Sequence, residues 1–340
     1  MLMNNIINKR NTLRELSDID FEILLPKLVT ELETHGILYE NYSQEDILKD
    51  WESLKKKQVD NNITNIAATN VVGMKIMRKH MKHFHEVSNY KGVSIYSLWN
   101  KQNLEKALRF NRKNHSTPYA SEIIRSLSFT NGLGKVTMYR PLMARNIVSY
   151  FNAKSVLDVC AGWGGRMLGT KSLGNNILYT GLEPCKKTYD GLCSISKELN
   201  IEEGLQLINE PAEKYLLELD ENIKFDLALT SPPYYNLEIY SSENNQSLQY
   251  NDYTSWINNF LEPVIKNVIK RVKISCWSVK NFKTDKKYNL LDDVIRIHEE
   301  NGCIMMDKQF RMSNSSRPGS SNTIKKTEEV TYVFITPTQL

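Results

Sequence analysis

Two acidic residues stand at the ends of apolar runs, and one of them directly precedes a cluster of glycines. Asp158 ends "SVLD" and is followed by "VCAGWGG", and Glu183 ends the next run, "ILYTGLE". Glycine lets the backbone come close to a ligand, and a carboxylate at the second strand end can accept hydrogen bonds from both hydroxyls of a ribose. Glycines alone are weak evidence, because such a turn can also serve only the close packing of a helix on its strand. With the two acids, the pattern predicts a nucleoside-binding turn.

A second reactive segment, "ALTSPPYYNLE", follows a later apolar run. Pro232 and Pro233 have fixed φ angles and no N–H, so the strand must stop there and its carbonyl oxygens lack an internal donor. The Ser231 hydroxyl oxygen and the Pro232 carbonyl could then accept the two hydrogens of a planar amine, while the ring of Tyr234 stacks on the base that carries it. Such an arrangement aims the nitrogen lone pair at an electrophile. A turn that only ends the strand is the plain alternative.

Together the two segments resemble the class I S-adenosylmethionine-dependent methyltransferases. The sequence lacks the GxxxxGK[ST] pattern of a phosphate-binding loop, which suits an adenosine ligand without a pyrophosphate. "TSPPY" resembles the signature of DNA amino-methyltransferases in the form typical of cytosine-N4 enzymes, whereas adenine-N6 enzymes more often begin this motif with Asp or Asn. The glycine turn precedes the Ser-Pro-Pro-Tyr segment, so a circularly permuted arrangement is excluded. The resemblance extends over residues 135–338.

The resemblance implies S-adenosylmethionine as the cofactor and gives the site residues their roles. The catalytic segment is Ser231, Pro232, Pro233 and Tyr234, and Ser231 also borders the cofactor. The glycine turn lines the cofactor through Asp158, Ala161, Gly162 and Gly164, Glu183 binds its ribose, and Glu210 of "NEPAE" faces its adenine. The segment "KVTMYRPLMARNIV" closes over the methionine part, with Tyr139, Arg140 and Pro141 as candidates.

Several alternatives keep the fold and change the acceptor. These are adenine N6 in DNA, an amine in RNA, and a glutamine side-chain amide, for which related enzymes carry Asn-Pro-Pro-Tyr. A nucleic-acid-binding module with an inactive methyltransferase fold belongs to another class, and the complete set of acids and loop residues weighs against it. Pro184 and Cys185 match the dipeptide of cytosine-C5 enzymes, but they follow the second strand, so we interpret Cys185 as helix packing.

The elements that must position these residues form an α/β pattern. Short β-branched runs near 154–159, 177–183, 204–208 and 224–230 alternate with helical stretches, and three further strands are predicted in "KISCWSV", "CIMMDKQFRM" and "EVTYVFITP". This alternation predicts a doubly wound, Rossmann-like sheet of seven strands. The preceding part has apolar residues at helical spacing. We therefore predict a helical domain for nucleic-acid recognition over residues 1–130 and a methyltransferase domain over residues 131–340.

Charge and composition indicate the partner. The net charge is +5, and the basic residues concentrate in 101–145 and 266–287, which predicts a polyanionic partner, DNA in first place and RNA as the alternative. The helical domain, the first basic stretch and the loops "SSENNQSLQY" and "SNSSRPGSSNTIKKTEE" are the predicted recognition surface. Oligomeric state is left open.

The remaining patterns exclude other classes of site. Five scattered cysteines without CxxC spacing indicate neither a disulfide framework nor a zinc site. His80, His83 and His85 cannot share one helical face, so we expect an exposed, partly cationic helix and no metal site. No apolar run reaches the roughly 20 residues of a membrane span, and the N-terminal residues lack the features of a secretory signal. The expectation is a soluble intracellular protein of the cytoplasm or nucleus, without a membrane partner.

Overall fold

The structure is a computed structural model that describes residues 2–59, 65–67, 70–133, 137–243, 249–313 and 329–337. Its contacts divide the chain into two compact units. The helical unit comprises Met1–Asn41, Lys82–Thr137 and Glu238–Tyr240, and the sheet unit comprises Tyr42–Met81, Met138–Leu237 and Ser241–Leu340. Residues 244–248 and 314–328 of the two predicted recognition loops, and Lys135 of the first basic stretch, lie outside the described residues.

The strands and helices of the described residues alternate over most of the sheet unit. The strands are β1 Asn65–Ala67, β2 Ser88–Asn89, β3 Ser155–Asp158, β4 Leu178–Leu182, β5 Leu205–Ile208, β6 Phe225–Thr230, β7 Glu238–Ile239, β8 Val272–Ser278, β9 Phe282–Lys283, β10 Lys287–Tyr288, β11 Ile304–Met305, β12 Phe310–Ser313 and β13 Glu329–Ile335. The α-helices are α1 Met3–Ile6, α2 Asp18–His35, α3 Gln44–Lys55, α4 Lys75–His80, α5 Ile95–Leu98, α6 Lys101–Lys113, α7 Ala120–Thr130, α8 Pro141–Tyr150, α9 Gly165–Lys171, α10 Lys186–Leu199, α11 Ala212–Glu218, α12 Tyr253–Trp256, α13 Glu262–Ile269 and α14 Leu290–Glu300. A 3₁₀ turn spans Lys82–His85, and a π-helical turn, Ile257–Leu261, joins α12 to α13.

The central sheet has the order β1-β12-β13-β8-β6-β3-β4-β5, and β11 also pairs with β13. Strands β5, β4, β3, β6 and β8 are parallel, whereas β13 runs antiparallel between β8 and β12. The chain starts in the middle of the parallel set and winds outward to both sides, which is the doubly wound arrangement. The predicted α/β fold is confirmed, and β1 and β11 extend the sheet beyond the seven strands expected.

The inner strands are apolar because helices cover both faces of the sheet. β6, "FDLALT", is buried at five of its six positions, as is usual for strands of a parallel sheet that are covered on both sides. The side chains of Trp256, Trp277 and Phe334 are fully withdrawn from solvent within this core. The packed interior holds the strand ends, and hence the loops that follow them, in fixed positions.

Residues 42–81, which the sequence pattern assigns to the helical domain, pack within the sheet unit. β1 pairs in parallel with β12, with Asn65 opposite Arg311. The buried guanidinium of Arg145 donates to the carbonyl oxygens of Lys55 at 2.8 Å and Ser172 at 2.7 Å. The segment therefore supplies an edge strand and backbone acceptors to the sheet, neither of which is visible in helical periodicity.

The helical unit has its own core and uses part of the first basic stretch internally. Leucines of α2 and α6 pack together, among them Leu28 and Leu104. Arg109 forms ion pairs with Glu22 and Glu105. The guanidinium of Arg112 donates to the carbonyl oxygens of Leu13 and Leu16. With Arg145 buried in the sheet unit, three of the arginines in the stretch are structural, which leaves fewer for a polyanion.

The expectation of an exposed, cationic histidine helix is wrong. α4 ends at His80, whose Nε2 lies 2.6 Å from Oε2 of Glu198. His83 and His85 belong to the 3₁₀ turn instead, where His83 is buried. Burial also lowers the pKa of His85 to about 4, so its ring is neutral at neutral pH.

Candidate active site at the carboxyl edge of the sheet

Three predicted segments follow strands that are neighbours in the sheet. β3 pairs in parallel with β4 on one side and with β6 on the other. Glu183 follows β4, the glycine turn follows β3, and Ser231 follows β6. Because the carboxyl ends of parallel strands lie at one edge, the structure brings these segments together there, where open α/β sheets bind their ligands.

Asp158 is fully buried, and its contacts are internal. Its Oδ2 accepts hydrogen bonds from Nε of Arg166 at 2.7 Å and from the hydroxyl of Tyr179 at 2.7 Å. Its Oδ1 accepts from the backbone N–H of Cys160 at 3.3 Å. The carboxylate predicted to line the cofactor therefore holds an arginine and the start of the glycine turn.

Arg166 is a site residue that the sequence reasoning missed. It lies in the first turn of α9 and is 4% exposed. Its Nη2 donates to the carbonyl oxygen of Cys160, and its guanidinium lies 5.1 Å from the ring centroid of Tyr139. Burial lowers the pKa of Arg166, but the charge of Asp158, the hydrogen bond to it and the neighbouring phenols of Tyr179 and Tyr139 together outweigh burial and raise the pKa above the ordinary value. No described residue accepts a hydrogen bond from Nη1. An arginine directly after the glycine pair was the available sequence signal.

The glycines of the turn have two distinct functions. Gly162 and Gly164 have φ angles of 55° and 89°, in the left-handed region that favours glycine. A Cβ atom at Gly162 would meet only the carbonyl oxygen of Cys160, at 3.7 Å, so that side of the turn is open. A Cβ atom at Gly165 would lie 2.0 Å from the carbonyl oxygen of Tyr139, so Gly165 serves close packing. Ala161, directly before Gly162, is buried, and its N–H donates to the carbonyl oxygen of Leu182.

Glu183 is a nearly buried carboxylate held by backbone donors. Its Oε2 accepts from the N–H of Gly162 at 2.9 Å and its Oε1 from the N–H of Cys185 at 2.9 Å. Burial raises the pKa of Glu183 to about 7, although the two amide hydrogen bonds act in the opposite direction. Cys185 is buried at the start of α10, and it contributes its backbone to the site.

Aromatic side chains pack against the Ser-Pro-Pro-Tyr loop and hold it in place. Ser231 and Tyr234 are half-buried and Pro232 is buried. The ring of Tyr234 meets that of Phe282 edge to face, with centroids 5.6 Å apart. The next residue, Tyr235, is buried with a φ angle of 42°, a conformation that costs a bulky residue energy unless its surroundings fix it.

The residues before α8 pack against the glycine turn. Tyr139 is buried, and its hydroxyl lies 3.2 Å from Oγ1 of Thr331. Burial raises the pKa of this phenol to about 12. Arg140 occupies the N-cap position of α8, and Pro141 occupies the first turn of that helix, where a missing N–H costs nothing. Burial lowers the pKa of Arg140.

Glu210 is half-buried at the end of β5, 3.8 Å from the ammonium of Lys214. Its neighbour Asn209, which the sequence reasoning missed, donates through Nδ2 to the carbonyl oxygens of Glu183 and Pro184 at 2.9 and 3.0 Å. Asn209 thereby fixes the backbone that carries the Glu183 carboxylate. An asparagine at a strand end, beside the predicted adenine contact, was a visible signal.

The described residues contain neither a metal-binding cluster nor a membrane-spanning helix. Their His, Cys, Asp and Glu side chains form no group of three or more that could hold a metal ion. None of their helices combines the length and apolar character needed to cross a membrane.

No protein-family model and no curated protein matches the sequence. Solved structures that resemble it include TrmN from Thermus thermophilus, with 10% identity, 58% of this chain and 48% of that chain covered, and a TM-score of 0.40. A SAM-dependent methyltransferase from Agrobacterium tumefaciens aligns with 11% identity, coverages of 57% and 59%, and a TM-score of 0.38. An rRNA methylase from Streptococcus thermophilus aligns with 11% identity, coverages of 59% and 99%, and a TM-score of 0.37. The chain thus spans about half of the Thermus protein.

Proposed function

We propose that the protein is an S-adenosylmethionine-dependent methyltransferase that acts on the exocyclic amine of a base in DNA, with cytosine N4 as the acceptor. One observation carries the proposal: the Ser231 loop and the glycine turn end adjacent parallel strands, with the Glu183 carboxylate on the far side of that turn. A rigid acceptor loop beside a nucleoside site is the arrangement that amine methylation needs.

The residues at the strand ends fit S-adenosylmethionine. Glu183 presents a buried carboxylate for the ribose hydroxyls, and the open side of Gly162 leaves space for a ligand against the turn. Ala161 and Gly164 complete that turn, and Glu210 stands at the next strand end for the adenine. In this proposal Asp158 is a positioning residue: it orients Arg166, whose Nη1 is left for the cofactor carboxylate. Tyr139, Arg140 and Pro141 close the methionine end.

The cofactor, when bound, supplies an electrophilic methyl group on a sulfonium sulfur. The hydroxyl oxygen of Ser231 and the carbonyl of Pro232 accept the two amine hydrogens and turn the nitrogen lone pair out of conjugation with the ring. As the N–C bond replaces the S–C bond, the sulfonium would become a neutral thioether, and one of the two amine hydrogens leaves as a proton to solvent. Pro233 keeps the loop rigid, and Tyr234 stacks on the base. Because a paired amine is inaccessible in a duplex, the base must be extruded from the stack before transfer.

The proposal is tested with purified protein and methyl-labelled S-adenosylmethionine. Duplex DNA, single-stranded DNA and single-stranded RNA of mixed sequence are incubated separately, and the labelled nucleosides are identified by mass spectrometry. We expect N4-methylcytosine in DNA. Label in N6-methyladenine removes the cytosine assignment, and label in RNA alone removes the DNA assignment. Ser231→Ala is the matched variant, since it deletes one acceptor oxygen and leaves the glycine turn and Glu183 intact.

A further inference from the structure

A hairpin beside the Ser-Pro-Pro-Tyr loop alternates between buried and exposed residues. We define residues 280–288, which contain β9 and β10, as the lysine hairpin. Phe282, Thr284 and Tyr288 are buried, whereas the lysines point to solvent. Those lysines are Lys280, Lys283, Lys286 and Lys287. The alternation gives the hairpin one face packed on the sheet unit and one strongly basic face.

The packed face is anchored to the proposed catalytic loop. The rings of Phe282 and Tyr288 stack with centroids 5.0 Å apart. Phe282 also contacts Tyr234 edge to face at 5.6 Å, and Tyr288 contacts Tyr235 at 5.8 Å. The basic face is therefore held in a fixed position next to the residues proposed to receive the base.

The basic face has no evident structural purpose. Lys283 and Lys287 are direct cross-strand partners, and like charges placed opposite each other destabilise a hairpin. Within the described residues, no carboxylate lies within ion-pair distance of any of the four lysines. Lys286 Nζ lies 5.4 Å from the ring centroid of Tyr288, which is its one described contact of this kind.

The one acid of the hairpin does not neutralise the lysines. Asp285 accepts hydrogen bonds from the hydroxyls of Thr284 at 2.7 Å and Tyr288 at 3.0 Å. These hydrogen bonds, with that of Thr284 the larger, lower the pKa of Asp285 to about 2. Its carboxylate thus braces the turn, and the cross-strand pair Lys283 and Lys287 has no described ion pair.

We propose that the lysine hairpin binds the DNA phosphates that flank the methylated base. The inference rests on the proposed function for the identity of the polyanion and on the hairpin contacts for its location. Extruding a base brings the adjoining phosphates to the rim of the pocket that receives it. Lysine ammonium groups contact phosphates as point charges and read no sequence, so the hairpin positions the strand and leaves target choice to other residues.

The first test separates a binding role from a structural one. Lys283→Glu converts the like-charge pair with Lys287 into an opposite-charge pair, which stabilises a hairpin. We expect K283E to melt at the same temperature as the wild type or higher, and to bind a fluorescein-labelled mixed-sequence duplex about tenfold or more weakly at low salt. Unchanged affinity in K283E overturns the proposal.

The second test counts the phosphate contacts. In K283Q/K287Q, the slope of log affinity against log salt should fall by about 1.8, because each phosphate contact contributes about 0.9 for duplex DNA. The matched control is K154Q/K270Q, which removes two exposed lysines next to the amino ends of β3 and β8, at the opposite edge of the sheet. A control that loses as much affinity and slope would show a net-charge effect and refute the local site.

A third comparison distinguishes the two proposals. If the wild type methylates no base but K283E still loses duplex affinity, the proposed function fails and the binding surface stands. If methylation occurs in DNA and the hairpin variants bind it normally, the surface fails and the function stands. Dependence on the hairpin for single-stranded RNA but not for duplex DNA overturns DNA as its partner. Calorimetric binding of S-adenosylmethionine to every variant checks that the sheet unit is intact.

Discussion

Nε of Arg166 lies 2.7 Å from Oδ2 of Asp158, and the two side chains are 5% and 0% exposed. A buried ion pair is costly to break because the remaining charge has no water to solvate it. Asp158→Asn or Arg166→Met alone should lower the free energy of unfolding by about 3–5 kcal/mol. The double variant should cost less than the sum of the two. Urea denaturation of all three variants measures the coupling, and strictly additive losses would contradict a direct pair.

The raised pKa of Glu183 predicts that its contribution to the stability of the fold falls as the pH rises. Burial raises its pKa from 4.5 to about 7, so the folded protein holds a proton in this window that the unfolded chain has lost. The contribution of Glu183 to stability is therefore full below pH 4.5 and falls as the pH rises towards 7. Comparing chemical denaturation of the wild type and Glu183→Gln across this window should show the slope in the wild type alone.

Ligand binding at Glu183 should have the opposite pH dependence. Ribose hydroxyls donate to the ionised carboxylate, so binding must release the proton when the pH is below about 7. Affinity for S-adenosylmethionine should rise by up to about tenfold per pH unit towards pH 7 and then level off. Calorimetry in buffers of different ionisation enthalpy measures the released proton. Glu183→Gln should bind weakly without this dependence, and a wild-type affinity that is flat between pH 5.5 and 7 would exclude the ribose role.

Substitutions at Ser231 and Glu183 should affect methyl transfer and cofactor binding to different extents. Ser231→Ala removes an acceptor for the amine and should raise the activation free energy of transfer by about 1–3 kcal/mol, with a much smaller effect on cofactor affinity than Glu183→Ala has. Glu183→Ala should chiefly weaken cofactor affinity. Single-turnover kinetics and calorimetry on both variants test this division, and equal losses of both quantities in both variants would show that the assigned geometry is wrong.

Arg145 should stabilise the sheet unit through residues 42–81. Arg145→Met leaves the carbonyl oxygens of Lys55 and Ser172 without their donor, and an unsatisfied buried acceptor costs about 1–3 kcal/mol. Arg296→Met is a suitable control, because Arg296 is 44% exposed and its surface ion pairs contribute at most about 1 kcal/mol. Thermal unfolding of the two variants compares them. Equal melting temperatures would mean that the segment is held by β1 and apolar packing alone.

The local pattern of the sequence was sufficient to predict the parallel strands and the three loops at their carboxyl ends. An apolar run followed by glycine or proline reports a strand end directly, so Glu183 and Ser231 were found without knowledge of the fold. Arg166 was missed because its role depends on a partner eight positions earlier that only the strand-to-helix turn brings within 2.7 Å. Spacing alone does not reveal such a turn geometry.

Contacts between distant parts of the chain could not be predicted from the hydrophobic periodicity of the sequence. β1 has three residues, too few to show alternation, and its partner β12 lies near the other end of the chain. Its neighbourhood therefore looked like part of the helical domain. Likewise, the histidine segment has helical spacing, but the chain leaves the α-helix at His80, His83 is buried, and burial lowers the pKa of His85 so that its ring is neutral.

The position of β13 in the sheet determines when the sheet can be completed during translation. β13 lies between β8 and β12, and β12 carries β1, which is synthesised far earlier. Until β13 leaves the exit tunnel, β8 is an open edge with unpaired N–H and C=O groups, and the pair of β1 and β12 is not joined to the rest of the sheet. Open edges of this kind promote association between nascent chains on the same messenger RNA. Translation of β13, rather than of the strands that carry the candidate site, therefore completes the sheet, and expression should benefit from chaperones that shield this edge until β13 has been made.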